Sequence, residues 1–313
     1  MRKCNRLQPF LKRLKTDIKK FHGAYLLIIP VIIYYLLFVY KPMYGVIIAF
    51  KNFKPGKGIW GSPWADSFGL EHFIDFVTSF FFERTVTNTL TISLSSLIFG
   101  FPIPIIFALL LNEVKNQKFK RVVQTVSYMP HFISVVIICS MVRMFVSENG
   151  LITSIVSVFT NTKGSLLNYP EFYVPIHVIS GIWQNMGWDT IIYLAALAGV
   201  NQELYEAAKI DGAGRWKQTL HVTIPGIAGT IIILLLMRIG GLMNVGYEKV
   251  ILLYNEAIYE TADVISSYVY RQGLLNFQYS FSSAVGLFNS VINFALVITF
   301  NKISKKVTEI SLW

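Results

Sequence analysis

Apolar positions along this chain neither alternate nor form a single helical stripe. They gather into six long runs, at approximately 24–40 extending toward Phe50, 85–111, 122–142, 172–200, 222–245 and 284–300. A helix crossing roughly 30 Å of hydrocarbon needs about 20 mostly apolar residues, and each run comes near that length. No charged side chain stands between Arg84 and Asn112, a stretch that a water-exposed helix could hardly maintain. The pattern predicts an all-α polytopic membrane protein with six transmembrane helices. The first run follows a basic stretch and continues into Tyr40-Lys41-Pro42 without a small-residue cleavage pattern, so it reads as a retained span rather than a signal peptide.

Composition agrees. Of 313 residues 54% are hydrophobic and only 14% charged, with a mean hydropathy of +0.53. That is too little polarity to clothe a soluble domain of this size, so lipid is the solvent for much of the surface. The net charge of +11 does not point to nucleic acid, because the basic residues lie in the gaps between apolar runs and not in a patch with stacking aromatics. There they orient the chain and meet anionic headgroups. Cys4 and Cys139 are far apart, with no spacing that suggests a disulfide framework or a metal site.

Orientation follows from lysine and arginine in the loops. The N-terminal arm carries Arg2, Lys3, Arg6, Lys12, Arg13, Lys15, Lys19 and Lys20 against Asp17 alone. Lys115, Lys118, Lys120 and Arg121 follow the second run, and Lys302, Lys305 and Lys306 follow the sixth. The alternate loops are poorer in basic residues, with Glu248, Glu256, Glu260 and Asp263 between the fifth and sixth runs. Both the N and C termini are therefore expected in the cytoplasm. The predicted division is a basic cytoplasmic arm at 1–22, a six-helix domain at 23–303 and a cytoplasmic tail at 304–313. Segment 41–84, with Trp60 and Trp64, is expected outside as a loop with an interfacial helix.

The interval between the fourth and fifth runs is longer than a turn requires. Segment 201–216 reads as a short amphipathic helix, a break at Asp211-Gly212 and a second short helix entering the fifth run through Val222-Thr223-Ile224-Pro225. Ala207 and Ala208 combine helix propensity with small volume, so a partner surface can approach the backbone. Gly212 can take a positive φ without strain.

Glu206-Ala207-Ala208, Asp211-Gly212-Ala213 and Val222-x-Ile224-Pro225 together resemble the EAA signature of binding-protein-dependent ABC importer permeases, in the position that family uses. Further similarity to the sugar-permease branch, which includes lipoprotein-associated polysaccharide permeases, lies in Leu194-Ala195-Ala196-Leu197, Tyr128-Met129-Pro130-His131 and Asn244-Val245-Gly246-Tyr247-Glu248. The resemblance implies a type I importer transmembrane domain in a bacterial cytoplasmic membrane. It also implies that segment 201–225 couples to an ATPase, through Glu203, Glu206, Ala207, Ala208, Asp211, Gly212, Ala213, Ile224 and Pro225. The partners implied are two nucleotide-binding subunits, which would hold ATP and magnesium, a second similar permease in a heterodimer, and an extracytoplasmic solute-binding protein. The cargo implied is a carbohydrate, an oligosaccharide first. Amino-acid, peptide, polyamine or phosphonate cargo would use the same machinery, and an ATP-independent secondary carrier is a rival of another class.

Polar groups at membrane depth are functional candidates. The fourth run holds Trp183, Gln184, Asn185, Trp188 and Asp189, and sugar recognition needs both flat apolar faces and hydrogen-bonding groups. Equally, such groups hold bundles together. Arg238 is alone in the apolar fifth run and needs a partner or a wet cavity, with Asp189 a possible counter-ion. Asn289 and Asn293 should share a helix face directed at another helix, Pro102 and Pro104 should locally break the backbone ladder, and His131 reads as a capping or interfacial residue. No Walker-type loop, His-Glu-x-x-His or Gly-x-Ser-x-Gly occurs. No catalytic, cofactor-binding or metal residue is therefore expected here, and the chain is read as a non-enzyme whose ATP is hydrolysed by another polypeptide.

Overall fold

The computed structural model describes residues 20–160 and 162–313. Most of the predicted basic arm, 1–19, lies outside the described residues. The chain divides into two units, 1–71 and 72–313.

In the first unit, helix α1 (His22–Tyr35) continues through a wide turn at Leu36–Tyr40 to a tighter one ending at Phe50. The resulting 29-residue apolar rod spans His22–Phe50, and no residue of α1 is buried. The following loop closes around Lys51, whose ammonium donates to the carbonyls of Ile59, Trp60 and Ser62 at 2.9, 3.2 and 3.1 Å. The same ammonium sits 5.7 and 5.1 Å from the rings of Trp60 and Trp64. A buried cation is tolerable when carbonyls and π faces replace its water.

The second unit is a helical bundle. Helices α2 (Phe81–Gly100) and α3 (Pro102–Glu113) form one apolar span of 33 residues. The prolines interrupt it less than the sequence suggests, because Pro102 stands in the first turn of α3, where its missing N–H matters least. Helices α4 (Gln117–Tyr128) and α5 (Val135–Phe145) correspond to the third run. That run is not one straight rod: a 101° bend separates Gln117–Phe132 from Val135–Phe145. Pro130 and the extended Ile133 and Ser134 break the ladder, and the Ser134 hydroxyl caps α5.

Helix α6 (Pro170–Ala198) has 29 residues and packs against α2, α3, α4 and α8, the last being Ile224–Gly240. Between them stands α7 (Gln202–Ile210). Helix α9 (Tyr247–Leu253) and α10 (Ile265–Tyr270) follow, and α11 (Tyr279–Thr308) runs well into the predicted tail. Among the described residues four helices are long and apolar enough to cross a membrane, or five with the bent pair as one span. The fourth run, α6, matches the others in length but carries the polar cluster noted above.

Contacts between distant segments order the two ends of this unit. At one end the Arg215 guanidinium bonds Glu113 at 2.8 Å, joining the segment after α7 to the end of α3. At the other, fully buried Asp263 is held by Arg84 at 3.0 Å, by Arg271 at 2.6 Å and by the Ser267 hydroxyl at 2.8 Å. Asn293 accepts from the Met243 N–H at 2.9 Å, and both Asn289 and Asn293 donate to the Asn244 side chain. The two asparagines thus share a face, as their spacing predicts, turned to the strap after α8.

Candidate functional site

Two features of the second unit combine polar chemistry with access. The first is α7. The Asn201 carboxamide accepts from the Glu203 N–H at 3.0 Å and caps the helix start. At the other end Gly212 takes φ +77°, and the Gly212 and Ala213 N–H groups donate back to Lys209 and Ala208 at 3.0 and 2.8 Å. The Tyr205 hydroxyl donates to Thr223 Oγ1 at 3.0 Å, and the Gln218 amide donates to the Ala213 carbonyl at 2.7 Å, so the base of the segment is tied to the residues that enter α8.

Glu203, Glu206, Ala207, Asp211 and Gly212 are exposed, while Ala208 and Ala213 are half-buried. Leu204, Ile210 and Trp216 add apolar surface, Ile210 being 87% exposed. Ile224 and Pro225 stand in the first turn of α8, directly after Thr223. The segment is a capped helix that offers a mixed apolar and acidic face outward while its base is hydrogen-bonded to the next span.

The second feature is a cavity of about 540 Å³ between α2, α6 and α8, roofed by the strap 241–246 and α9. Four of the residues singled out in the sequence, Gln184, Asn185, Asp189 and Arg238, line it together. Arg238 faces Asp189 at 3.8 Å, each side chain still substantially exposed at 50% and 37%. This exceeds the 2.7–2.9 Å or so of a charge-assisted hydrogen bond, so both groups keep capacity for a guest.

The two indoles lie elsewhere. Trp183 faces an apolar recess with Met141 and Phe172. Trp188 stacks on His131, with ring centroids 4.6 Å apart and planes 3° from parallel. His131 in turn has Nδ1 3.0 Å from the Asn185 side-chain oxygen, so it supports the cavity wall from behind and is more than a cap.

Sequence reasoning missed Lys249 and His177, which complete the lining. The Lys249 ammonium donates to the His177 carbonyl at 2.7 Å. Burial pushes its pKa below the ordinary lysine value, to about 8. His177 is buried, and its Nδ1 has no hydrogen-bond partner among the described residues. A lysine followed directly by Val250-Ile251-Leu252-Leu253 was the available signal, since a charge on a helix that must bury its other residues has to point somewhere polar.

A multi-span helical bundle with a polar cavity between its helices and a capped helix exposed at one end is the architecture of a membrane permease. The chain belongs to the family described as binding-protein-dependent transport system inner membrane component, which matches residues 100–309. It is 43% identical to Protein LplB of Bacillus subtilis (strain 168), over 95% of this chain and 92% of that protein. To the polygalacturonan/rhamnogalacturonan transport system permease protein YteP of the same strain it is 42% identical, again over 95% of this chain and 92% of the relative. Its structure matches, with a TM-score of 0.85 and 41% identity, a chain in the crystal structure of a bacterial alginate ABC transporter in complex with an alginate pentasaccharide-bound periplasmic protein, covering 96% of this chain and 100% of that one. The resemblance read from the three sequence blocks is thus borne out at the level of the family and the fold.

Proposed function

We propose that this chain is the translocating subunit of an ATP-driven importer that carries saccharide oligomers from an extracytoplasmic binding protein through the cavity between α2, α6 and α8. The observation that carries the reading is that cavity, where amides, one carboxylate and two cations converge between the helices. Its about 540 Å³ falls within the roughly 300–1,000 Å³ of ordinary ligand sites. Relatives whose names specify polygalacturonan, rhamnogalacturonan or alginate support saccharide cargo.

In this reading α7 is the point where a nucleotide-binding subunit docks. Its fixed base and free apolar face suit a lever: motion of a partner against Leu204, Ile210 and Ala207 reaches α8 through Tyr205 and Thr223. Two such ATPase subunits would hold ATP and magnesium, and a second, similar permease would complete the pathway as a heterodimer. Six spans with both termini in the cytoplasm fit the Arg215–Glu113 bridge, which puts the loops after the second and fourth spans at one end. The domain boundaries at 22 and 303 belong to the same proposal.

Copurification from native membranes, followed by uptake assays in proteoliposomes, tests this. An ATPase, a second permease and a saccharide-loaded binding protein should accompany the chain. Uptake of cargo by the purified chain alone, without ATP, would overturn the reading in favour of a self-contained carrier.

A further inference from the structure

Cations and carboxylate in the cavity do not balance. Asp189 is the one carboxylate lining it, and Arg238 already faces that group at 3.8 Å. Among the described residues Lys249 has no carboxylate within ion-pair distance; its ammonium bonds instead to a backbone carbonyl, that of His177. An ammonium has three donors and no acceptor, so after that bond two N–H groups remain for a guest.

The placement of Lys249 is built in by the opposing helix. His177, Gly181, Asn185 and Asp189 recur every fourth residue and line one face of α6, about 18 Å long at ~1.5 Å per residue. Lys249 occupies one end of this stripe, 2.7 Å from the His177 carbonyl. A Cβ at Gly181 would lie 3.2 Å from its Nζ, so the glycine makes room for the ammonium. The Asp189–Arg238 pair occupies the other end, two helical turns beyond Gly181. Between them lie the uncharged amides of Gln184 and Asn185, the latter held by the Gly181 carbonyl at 3.0 Å and by His131. A neutral sugar would leave the ammonium's remaining donors facing hydroxyls, whereas a carboxylate there would form the stronger, charge-assisted bond.

We infer that Lys249 is a specificity-determining residue that reads a carboxylate on the transported saccharide, so that the cavity favours uronate-containing oligomers over neutral ones. The inference rests on the saccharide reading above and adds to it the charge class of the cargo and the residue that selects it. Gly181 serves it by admitting the ammonium to the wall.

The test is binding to the assembled, detergent-purified transporter, without binding protein, of an oligogalacturonate of one defined length and of its methyl ester. Wild type should prefer the free acid by about tenfold, the effect of one charge-assisted bond, and the preference should shrink as salt rises. Lys249→Gln should bring the two affinities together by weakening the acid alone, and Lys249→Arg should keep the preference. A lysine that merely pins α9 to α6 would, when replaced, change both ligands equally. That result, or equal binding of acid and ester by wild type, overturns the inference and leaves saccharide transport standing. Failure of wild type to bind either ligand overturns the inference as well, while the saccharide reading is decided separately by the cargo that copurifies with the binding protein.

Discussion

Arg238 and Asp189 face each other at 3.8 Å across the cavity wall without a tight hydrogen bond. Such a pair keeps each charge compensated at membrane depth, where an unpartnered arginine costs at least about 2.5 kcal/mol, while leaving both able to reorient toward a guest. Removing one partner strands the other. Arg238→Gln and Asp189→Asn should each cut ATP-dependent uptake at least about tenfold, whereas the exchange Asp189→Arg with Arg238→Asp should recover part of it. Uptake in proteoliposomes checks this; an exchange variant as inactive as both single variants would show that the two charges act independently.

At Gly212 the backbone φ is +77° and a side chain would meet nothing within 4 Å. Space is therefore irrelevant and conformation decides. Gly212→Val puts a β-branched residue in the left-handed region, a strain of order 1–3 kcal/mol, and should loosen the end of α7. Gly212→Asn, tolerated in that region, should be nearly silent. Retention of the ATPase subunits during purification is the measurement, with unchanged membrane insertion as its control. Equal retention by Val and wild type would sink the docking assignment at this turn.

Gly187 reports on packing instead. A Cβ there would come 2.2 Å from the Ser127 carbonyl oxygen, so α4 and α6 touch through backbone. Overpacking costs typically 1–3 kcal/mol, and the clash is with main chain that cannot step aside. Gly187→Ala should lower the thermal unfolding midpoint in detergent by several degrees, while Gly286→Ala, which meets nothing within 4 Å, should not. An unaffected midpoint for Gly187→Ala would mean that α4 and α6 separate readily.

Asp263 is fully buried and answers two guanidiniums, while Asn88 donates to its backbone carbonyl at 3.0 Å. Replacing it leaves Arg84 and Arg271 close together without an anion. Breaking a buried pair in this way costs about 3–5 kcal/mol, so Asp263→Asn should destabilise the fold markedly, and Arg84→Met added to it should restore part of the loss by removing one stranded cation. Thermal unfolding of the three proteins decides; an Asp263→Asn midpoint equal to wild type would refute the clasp.

How much of this was legible in the sequence depends on the distance over which each feature is decided. Five of the six apolar runs read out directly as helices or continuous helical segments, and the turn at Gly212 was equally visible, because both are settled locally along the chain; the cap at Asn201 went unread. The bend after Pro130 was hidden inside an apolar run, where hydrophobicity is indifferent to direction. Partners were least legible: Lys249 meets a residue 72 positions away and His131 one 54 positions away. Trp188 has an aromatic character that suggested sugar stacking, yet its face is covered by His131. Charge counting treats Asp263 as one more acid of a loop, though with Arg84 and Arg271 it forms the buried clasp.

The remaining prediction concerns pH. The Lys249 pKa lies at about 8 instead of near 10.5, chiefly because burial disfavours the charged amine, with Cys139 acting weakly in the opposite direction. A lowered lysine pKa means that the charge is present below that value and lost as pH rises through it. The groups around it are Cys139 of α5, the carbonyl and imidazole of His177 and, along the same wall, Asp189 and Arg238. Uptake of an acidic saccharide should therefore fall between about pH 7 and about pH 9, and uptake of its neutral ester should not. In Lys249→Arg the acidic profile should flatten. Initial rates in proteoliposomes buffered equally on both sides check the point, and an acidic profile that falls identically in wild type and Lys249→Arg would assign the transition to another subunit.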